Sequence, residues 1–381
     1  MDKKSLKSFK YNNIEAIRFL FAVIIIYFHI LHAYIMKQAG EAQIYQTLAD
    51  LSSNAGIIVE CFFILSGFFL YHSCKKTPDM SVKEFAYGKV GRLLPVFFVS
   101  ELIGVVFFKK SPYELLINVS FLQCIGITDK WKSINWYLSP LFWVLIFYFV
   151  LLKCFKNDKR KPNIIIGLIT YFSYVILLNN GGFTREMVFG FLSGAVLRAL
   201  AGIGLGYLIA VCVESIKEMP SVKGFKPNKK QNALITLVIS VIELACFIGL
   251  IIDFLYKKIA YENQFIVVIL FSGLLLCMIT QKGILSRICN NKFFGGFGKY
   301  AYSIYVVQRI SFYILEKTLW TNSDFVQNHA YRCIAVSILF SVLFGIAAYY
   351  IIEKPCARLF KKLGKKLFPR ANCFVNSNTN E

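Results

Sequence analysis

Residues Asn13 to Leu31 read NIEAIRFLFAVIIIYFHIL. This stretch is apolar over the roughly 17 to 23 residues that a helix needs to cross a hydrocarbon layer about 30 Å thick. It nevertheless contains Glu15, Arg18 and His29, whose transfer into lipid is unfavourable unless they are paired or face water. The stretch therefore predicts a membrane-spanning helix that keeps polar groups.

The composition of the whole chain also indicates a membrane protein. Hydrophobic residues make up 57% of the 381 residues, the mean hydropathy is +0.57, and there are 37 Phe and 21 Tyr. No soluble domain of this length needs so many apolar residues for one core. We predict an all-α, polytopic integral membrane protein with about ten transmembrane helices, at 14–35, 55–72, 93–108, 135–152, 163–179, 197–214, 232–254, 262–280, 299–316 and 331–352.

A formal net charge of +22 could indicate binding to nucleic acid. The distribution of the charged residues along the chain favours another explanation. If the amino terminus lies inside, segments on the inner side contain 30 of the 43 Lys and Arg residues, and outer segments contain 11. The positive-inside rule then predicts that both termini are cytoplasmic and that the protein is a multi-pass component of the cell membrane. No nucleic acid is needed to explain the charge. We expect a basic amino terminus (1–13), one membrane domain (14–353) and a basic cytoplasmic tail (354–381).

The segment 180–196 leaves the number of helices open. Its sequence, NGGFTREMVFGFLSGAV, suits either a short outer loop or a further re-entrant helix. The basic cluster from Lys217 to Lys230 favours the loop, because an additional crossing would move that cluster to the outer side.

Cysteine and histidine usage predicts no metal site. The eleven cysteines are scattered without paired spacings, and the chain has four histidines that are dispersed. Such a pattern supplies neither a disulfide framework nor a set of zinc ligands.

Arg18 and His29 are predicted to share one face of the first helix. Eleven positions at 100° each bring their side chains within about 20° of each other, and roughly 16 Å apart along the axis. Glu15, three residues before Arg18, is close enough to pair with it. Arg18 could instead reach the headgroups while His29 forms a hydrogen bond to a neighbouring helix, and we give this alternative equal weight. Two ionisable groups on one stripe favour a polar pathway.

Seven short motifs occur in a fixed order between residues 13 and 360. They are Glu15-Ala16-Ile17-Arg18 with His29, CFFILSGFFLY (61–71), KVGRLLP (89–95), NWYLSPLF (135–142), LRALAGIGLGYL (197–208), GKYAYSIYVVQ (298–308) and YYIIEKP (349–355). Together they resemble the membrane acyltransferase 3 family, the O-acetyltransferases of bacterial surface sugars. The chain differs from the family pattern at Lys89, where an Arg is usual, and at Gln308, where many relatives have a second His.

The resemblance implies an enzyme that transfers acyl groups other than aminoacyl groups. Acyl-CoA, in particular acetyl-CoA, would supply the acyl group from the cytoplasm, and a hydroxyl of an extracytoplasmic carbohydrate or glycolipid would accept it. A neutral imidazole is a suitable general base for a sugar hydroxyl, which makes His29 the candidate base. Arg18 and its partner Glu15 would complete the catalytic stripe. Lys89 and Arg92 would bind the phosphates of CoA at the cytoplasmic mouth.

The remaining candidates from the resemblance have structural alternatives. Ser66 could donate a hydrogen bond to the thioester carbonyl, and Ser66 and Gly67 together could belong to the donor site, or they could simply let helices approach closely. Trp136 and Tyr302 could bind the acceptor or belong to interfacial aromatic belts. Glu353 is a third candidate for the acceptor site, or it caps or pairs at the end of the last helix. His32, one turn beyond His29, is an alternative candidate for the base, whereas His72 and His329 have no assigned role.

Two other functions stay open. The same membrane fold resembles the transmembrane part of vancomycin-resistance serine racemases, so the chain could transport a small polar solute such as serine. Transporters often contain internal repeats and broken helices, and the sequence has no repeat. A polysaccharide flippase or polymerase would explain the hydrophobicity but not the ordered motifs.

Overall fold

The computed structural model describes residues 11–35, 43–52, 54–108, 111–126, 134–158, 160–225, 227–255 and 264–369. The longer helices in these ranges are α1 (Asn12–His29), α2 (Gln43–Leu51), α3 (Ile58–Lys76), α4 (Val82–Phe108), α5 (Pro112–Val119), α6 (Leu138–Cys154), α7 (Arg160–Asn179), α8 (Gly194–Glu218), α9 (Lys229–Phe254), α10 (Ile266–Thr280), α11 (Ala301–Thr318), α12 (Ala330–Ala348) and α13 (Lys354–Leu367). Strands β1 (Met187–Val188) and β2 (Leu192–Ser193) form one antiparallel hairpin. One π-helical turn, Ile30–Tyr34, extends α1, and another, Tyr349–Glu353, joins α12 to α13.

The predicted all-α membrane architecture is confirmed, and each of the ten predicted helices coincides with a helix of the structure. Seven stretches in the described ranges are long and apolar enough to cross a membrane: Asn12–His32, Gln43–Lys76, Val82–Phe107, Arg160–Asn179, Gly194–Glu218, Lys229–Phe254 and Ala330–Leu367. Helices α6 and α10 are apolar but shorter, and α11 belongs to neither group. The count of ten spans and the cytoplasmic position of both termini therefore stay predictions.

Helix α4 begins eleven residues before the predicted span 93–108. The helix begins at Val82 rather than at 93, because Ser81 and Glu84 form a capping box in which each side chain binds the other's backbone N–H, at 3.2 and 2.6 Å. Pro95 lies inside the helix without ending it. A search for apolar windows misses such polar first turns, so the KVGRLLP motif lies within α4 and not at its start.

Helices α3 and α8 pack together through glycines at the centre of the bundle. A Cβ at Gly67 would lie 1.8 Å from the carbonyl oxygen of Ile203, and a Cβ at Gly206 would lie 1.8 Å from that of Ile64. The two backbones can approach this closely only because neither position has a side chain. The packing explanation for Gly67 is therefore confirmed.

The segment 180–193 is a loop with a short hairpin, and no re-entrant helix forms there. Ser193 caps α8, and its Oγ donates a hydrogen bond to the carbonyl of Cys124 at 2.6 Å. The loop interpretation of this segment is thus confirmed, whereas its side of the membrane stays a prediction.

The two ends of the bundle differ in chemistry. At the end where α1 begins, called the basic end below, Lys75 of α3 pairs with Glu214 of α8, and Lys153 donates to the carbonyl of Pro78. At the opposite end, Arg198 of α8 pairs with Glu60 of α3 at 2.5 Å, and both side chains are buried. These contacts fix α3 against α8 at both ends.

Candidate active site

A cavity lies between α1, α3, α4, α6 and α11 and extends from the basic end into the bundle. Fourteen residues line it: Arg18, Phe62, Leu65, Ser66, Phe69, Lys89, Arg92, Leu93, Tyr137, Leu141, Leu145, Ala301, Tyr302 and Tyr305. The exposed side chain of Arg92 marks its mouth. Arg18, Ser66, Lys89, Arg92 and Tyr302, five of the residues singled out from the sequence, are brought together here.

Arg18 and Glu15 form the predicted ion pair. One guanidinium nitrogen, Nη1, donates to both carboxylate oxygens of Glu15, at 3.0 and 2.9 Å. The guanidinium carbon also lies 5.8 Å from the ring centroid of Phe69, within the range of a cation–π interaction. The pairing satisfies part of the charge of Arg18 and orients its side chain at the cavity wall.

Lys89 and Arg92 add two positive charges that form no ion pair in the described part of the chain, although the charge of Arg92 acts on Glu353. The ammonium of Lys89 lies 4.9 Å from the ring centroid of Phe85. Lys89 stands where the family pattern has an Arg. It keeps the positive charge but lacks the planar guanidinium that binds phosphate with two hydrogen bonds. A cavity with two cations outside any ion pair, beside the Arg18–Glu15 pair, suits an anionic ligand.

The wall between these cations and Tyr137 is largely apolar, formed by Phe62, Leu65, Leu141 and Leu145. Ser66 contributes a hydroxyl group to this wall. The hydroxyl already donates a hydrogen bond to the carbonyl of Phe62, at 2.8 Å. Ser66 can therefore accept a hydrogen bond from a ligand without moving, and it must rotate before it can donate one. Gly67, which packs on α8, is not part of this wall.

A pair of tyrosines closes the inner end of the cavity. The rings of Tyr137 and Tyr305 meet edge to face with centroids 4.7 Å apart, and Tyr305 Oη donates to the carbonyl of Ile134 at 2.6 Å. Tyr302 is likewise fixed by a hydrogen bond to the carbonyl of Leu93. The charges of Arg18 and Arg92 act on Tyr137, whereas those of Arg185 and Arg198 act on Tyr305. The charges of two groups of cations therefore act on the Tyr137–Tyr305 pair.

The second group of cations surrounds Trp136, just before Tyr137 in the chain. The guanidinium carbons of Arg198 and Arg185 lie 4.7 and 5.7 Å from its ring. Arg198 is buried and paired with Glu60, but Arg185 is exposed and has no carboxylate partner in the described ranges. Both arginines are among the 11 basic residues that the charge bias assigns to outer segments, and no motif-based role is predicted for either. The position of Arg198 inside the LRALAGIGLGYL motif was the signal that could have drawn attention to it.

His29 lies apart from the cavity. Its side chain is half-buried, and the imidazole meets the ring of Phe28 edge to face, with centroids 5.0 Å apart. Among the described residues it has no hydrogen-bond partner, and this gives no support to the alternative of a core histidine bonded to a neighbouring helix. The charge of Arg185 reaches it from the hairpin loop. Ala22 and Ile25, between Arg18 and His29 on the same face, are 0% and 1% exposed and fill the predicted pathway.

The other predicted positions have structural contacts. Glu353 accepts a hydrogen bond from Ser303 of α11 at 2.5 Å, and the charges of Arg92 and Arg18 reach its carboxylate. Gln308 is fully buried, and neither its amide oxygen nor its nitrogen has a partner in the described ranges.

The histidines His72 and His329 pack on aromatic rings. His72 packs against Phe68, and His329 stacks on Phe325. A search of the described residues found no group of side chains that could hold a metal ion.

Comparison with known proteins identifies one family. The model of that family, described as an acyltransferase domain, matches residues 11–352, nearly the whole chain. No curated protein and no solved structure matches the chain significantly.

Proposed function

Because the chain belongs to the acyltransferase 3 family, whose model matches residues 11–352, we propose that it is a membrane O-acyltransferase. It moves an acyl group, in the first instance acetyl, from acyl-CoA to a hydroxyl of a carbohydrate or glycolipid on the other side of the membrane. The single observation that carries this proposal is the cavity, in which cations at the mouth are followed by an apolar wall.

The proposed donor is acyl-CoA, because its chemistry matches the order of groups along the cavity. Its phosphates need cations, which Lys89, Arg92 and the Glu15-paired Arg18 supply at the basic end. Its uncharged pantetheine arm suits the apolar wall beyond them. Ser66 then lies beside the arm as a hydrogen-bond acceptor, and as a donor to the thioester carbonyl after rotation.

The proposed acceptor site is the region of His29, Arg185 and Trp136. His29 removes the proton of the acceptor hydroxyl, the oxygen attacks the thioester carbonyl, the C–O bond forms and the C–S bond breaks. The leaving thiolate takes up a proton, so CoA is released as a free thiol. A neutral imidazole is suited to this step near neutral pH because its ordinary pKa is about 6.5.

Transfer requires the thioester and His29 to meet. The Tyr137–Tyr305 pair lines the cavity, and the charge of Arg185 acts both on Tyr305 and on His29. We therefore propose that these two rings move apart during turnover, which exposes the thioester to the acceptor while the phosphates stay bound. Solute transport gains no support from the family match, and it leaves the cationic mouth without a role.

The first experiment measures CoA released from acetyl-CoA by the purified protein with a panel of glycan acceptors. We expect acceptor-dependent release by the wild type and its loss, by at least about a hundredfold, in His29→Gln, because general base catalysis contributes 10²–10⁴-fold. His329→Gln is the matched control, since His329 lies outside the cavity and contacts Phe325 by stacking and by a hydrogen bond between its Nδ1 and the Phe325 carbonyl. Wild-type protein that binds no acetyl-CoA, or His29→Gln that remains as active as the control, would refute the proposal.

A further inference from the structure

Helix α13 extends beyond the part of the chain that can lie within the bilayer. The continuous stretch Ala330–Leu367 contains 38 residues. At about 1.5 Å per residue it would be about 57 Å long, nearly twice the thickness of the hydrocarbon layer, which is about 30 Å. Because α12 fills the apolar first half, α13 follows directly at the membrane surface, where the π-helical turn Tyr349–Glu353 joins the two.

The sequence of α13, KPCARLFKKLGKKL, divides into two sides. At 100° per residue, one arc of about 100° contains all its large apolar residues and its cysteine, namely Cys356, Leu359, Phe360, Leu363 and Leu367. An opposite arc of about 140° contains all its basic residues, namely Lys354, Arg358, Lys361, Lys362, Lys365 and Lys366. The helix contains no acidic residue. Such a division is typical of helices that lie in the plane of a membrane interface.

Only part of the apolar side is covered by protein. Phe360 packs on α4, where a Cβ at Gly91 would lie 2.8 Å from its ring, and its carbonyl accepts a hydrogen bond from Tyr87 at 3.1 Å. In contrast, Leu359, Leu363 and Leu367 are 54%, 42% and 62% exposed. The docking through Phe360 thus fixes the rotation of α13 and leaves one row of leucines without a protein partner in the described ranges.

We propose that α13 binds the headgroups of anionic phospholipids at the membrane surface. The leucine row enters the boundary between headgroups and acyl chains, and the exposed Lys362, Lys365 and Lys366 pair with lipid phosphates. Direct continuity with α12 puts this helix at a bilayer, and the excess of positive charge selects anionic over zwitterionic lipid. The helix also contacts α4 at Gly91, between Lys89 and Arg92, so the bound lipid borders the mouth of the cavity.

Fluorescence quenching by brominated lipids tests the proposal in the full-length protein. Leu363→Trp adds an indole to the leucine row, and the emission of the four native Trp residues is subtracted with the wild type. The protein is reconstituted in phosphatidylcholine bilayers containing a fixed fraction of brominated phosphatidylglycerol or of brominated phosphatidylcholine. We expect the added emission to be quenched by both lipids and more strongly by the glycerol lipid.

Two variants with fewer Lys residues test whether α13 causes the preference for the anionic lipid. Each Lys near an anionic surface contributes an affinity gain of about fivefold, so Lys362→Gln, Lys365→Gln and Lys366→Gln combined should at least halve the preference. The control variant combines Lys223→Gln, Lys229→Gln and Lys230→Gln, which remove the same charge from exposed positions outside α13. This variant should retain the preference for the brominated glycerol lipid. No quenching by either lipid, equal quenching by both, or equal losses in the two triple variants would each overturn the proposal. Because no activity is measured, the result is independent of the proposed function.

Discussion

At the residue scale, charge determines which kind of ligand the cavity suits. Glu15 pairs with Arg18, and neither Lys89 nor Arg92 forms an ion pair within the described ranges, although the charge of Arg92 acts on Glu353. A positive charge in a partly enclosed cavity is unfavourable without an anion, so the free energy of phosphate binding includes the relief of this cost. The cationic mouth thus favours the donor more than a neutral solute.

Arg92→Gln should weaken use of acyl-CoA while leaving the chemical step nearly intact. Removing one hydrogen bond between charged groups costs about 1.5–3 kcal/mol, which corresponds to a rise in KM of about ten- to a hundredfold. Initial rates of CoA release over a range of acetyl-CoA concentrations measure this. Lys83→Gln, at an exposed position of the same helix, is the control and should change KM less than about twofold because it lies outside the cavity. A fall in kcat at unchanged KM would instead assign Arg92 to the transition state.

At the element scale, close helix packing sets the positions of the site residues. The two glycine contacts between α3 and α8, with the ion pairs at both ends, fix the register of the two helices. Because Ser66 directly precedes Gly67, the contact that brings α3 onto α8 also orients the hydroxyl toward the cavity. The capping box at Ser81 likewise sets the turn of α4 on which Lys89 and Arg92 lie.

Gly67→Ala should destabilise the protein severely. Its Cβ would lie 1.8 Å from the carbonyl oxygen of Ile203, so two packed backbones must separate. We expect a loss of at least about 3 kcal/mol, at the upper end for overpacked cores, seen as a lower melting temperature in detergent.

Gly88→Ala in α4 is the matched control. A Cβ at Gly88 meets no atom within 4 Å, so the stability should stay unchanged or rise by up to about 1 kcal/mol through helix propensity. If Gly67→Ala melts at the same temperature as Gly88→Ala, the close packing of α3 on α8 does not stabilise the protein.

At the scale of the whole molecule, the charge bias predicts its orientation. The basic end contains the amino terminus of α1, the cavity mouth and α13, and the positive-inside rule assigns this end to the cytoplasm. The proposed direction of acyl transfer depends on this assignment, because acyl-CoA is a cytoplasmic metabolite.

Epitope accessibility in intact cells tests this orientation. An epitope inserted after Gly190, in the exposed hairpin loop, should bind antibody in intact cells, whereas one added after Glu381 should bind only after permeabilisation. The reason is the excess of Lys and Arg on the inner side, which resist translocation. Reaction of both epitopes under the same condition would show that the number of crossings between them is even and that the ten-helix topology is wrong.

The sequence alone was enough to predict the membrane environment, the helices and the ion pair between Glu15 and Arg18. Hydropathy and charge bias are summed over neighbouring residues, and Glu15 and Arg18 are one helical turn apart, so no distant contact is needed to predict either. The tertiary structure alone brings Tyr137 against Tyr305 at the cavity wall and buries Ala22 and Ile25 on the face between Arg18 and His29. Tyr137 and Tyr305, like Glu60 and Arg198, are more than a hundred residues apart in the chain. Helical periodicity describes one helix at a time and specifies no partner for its faces, so packing alone brings such residues together.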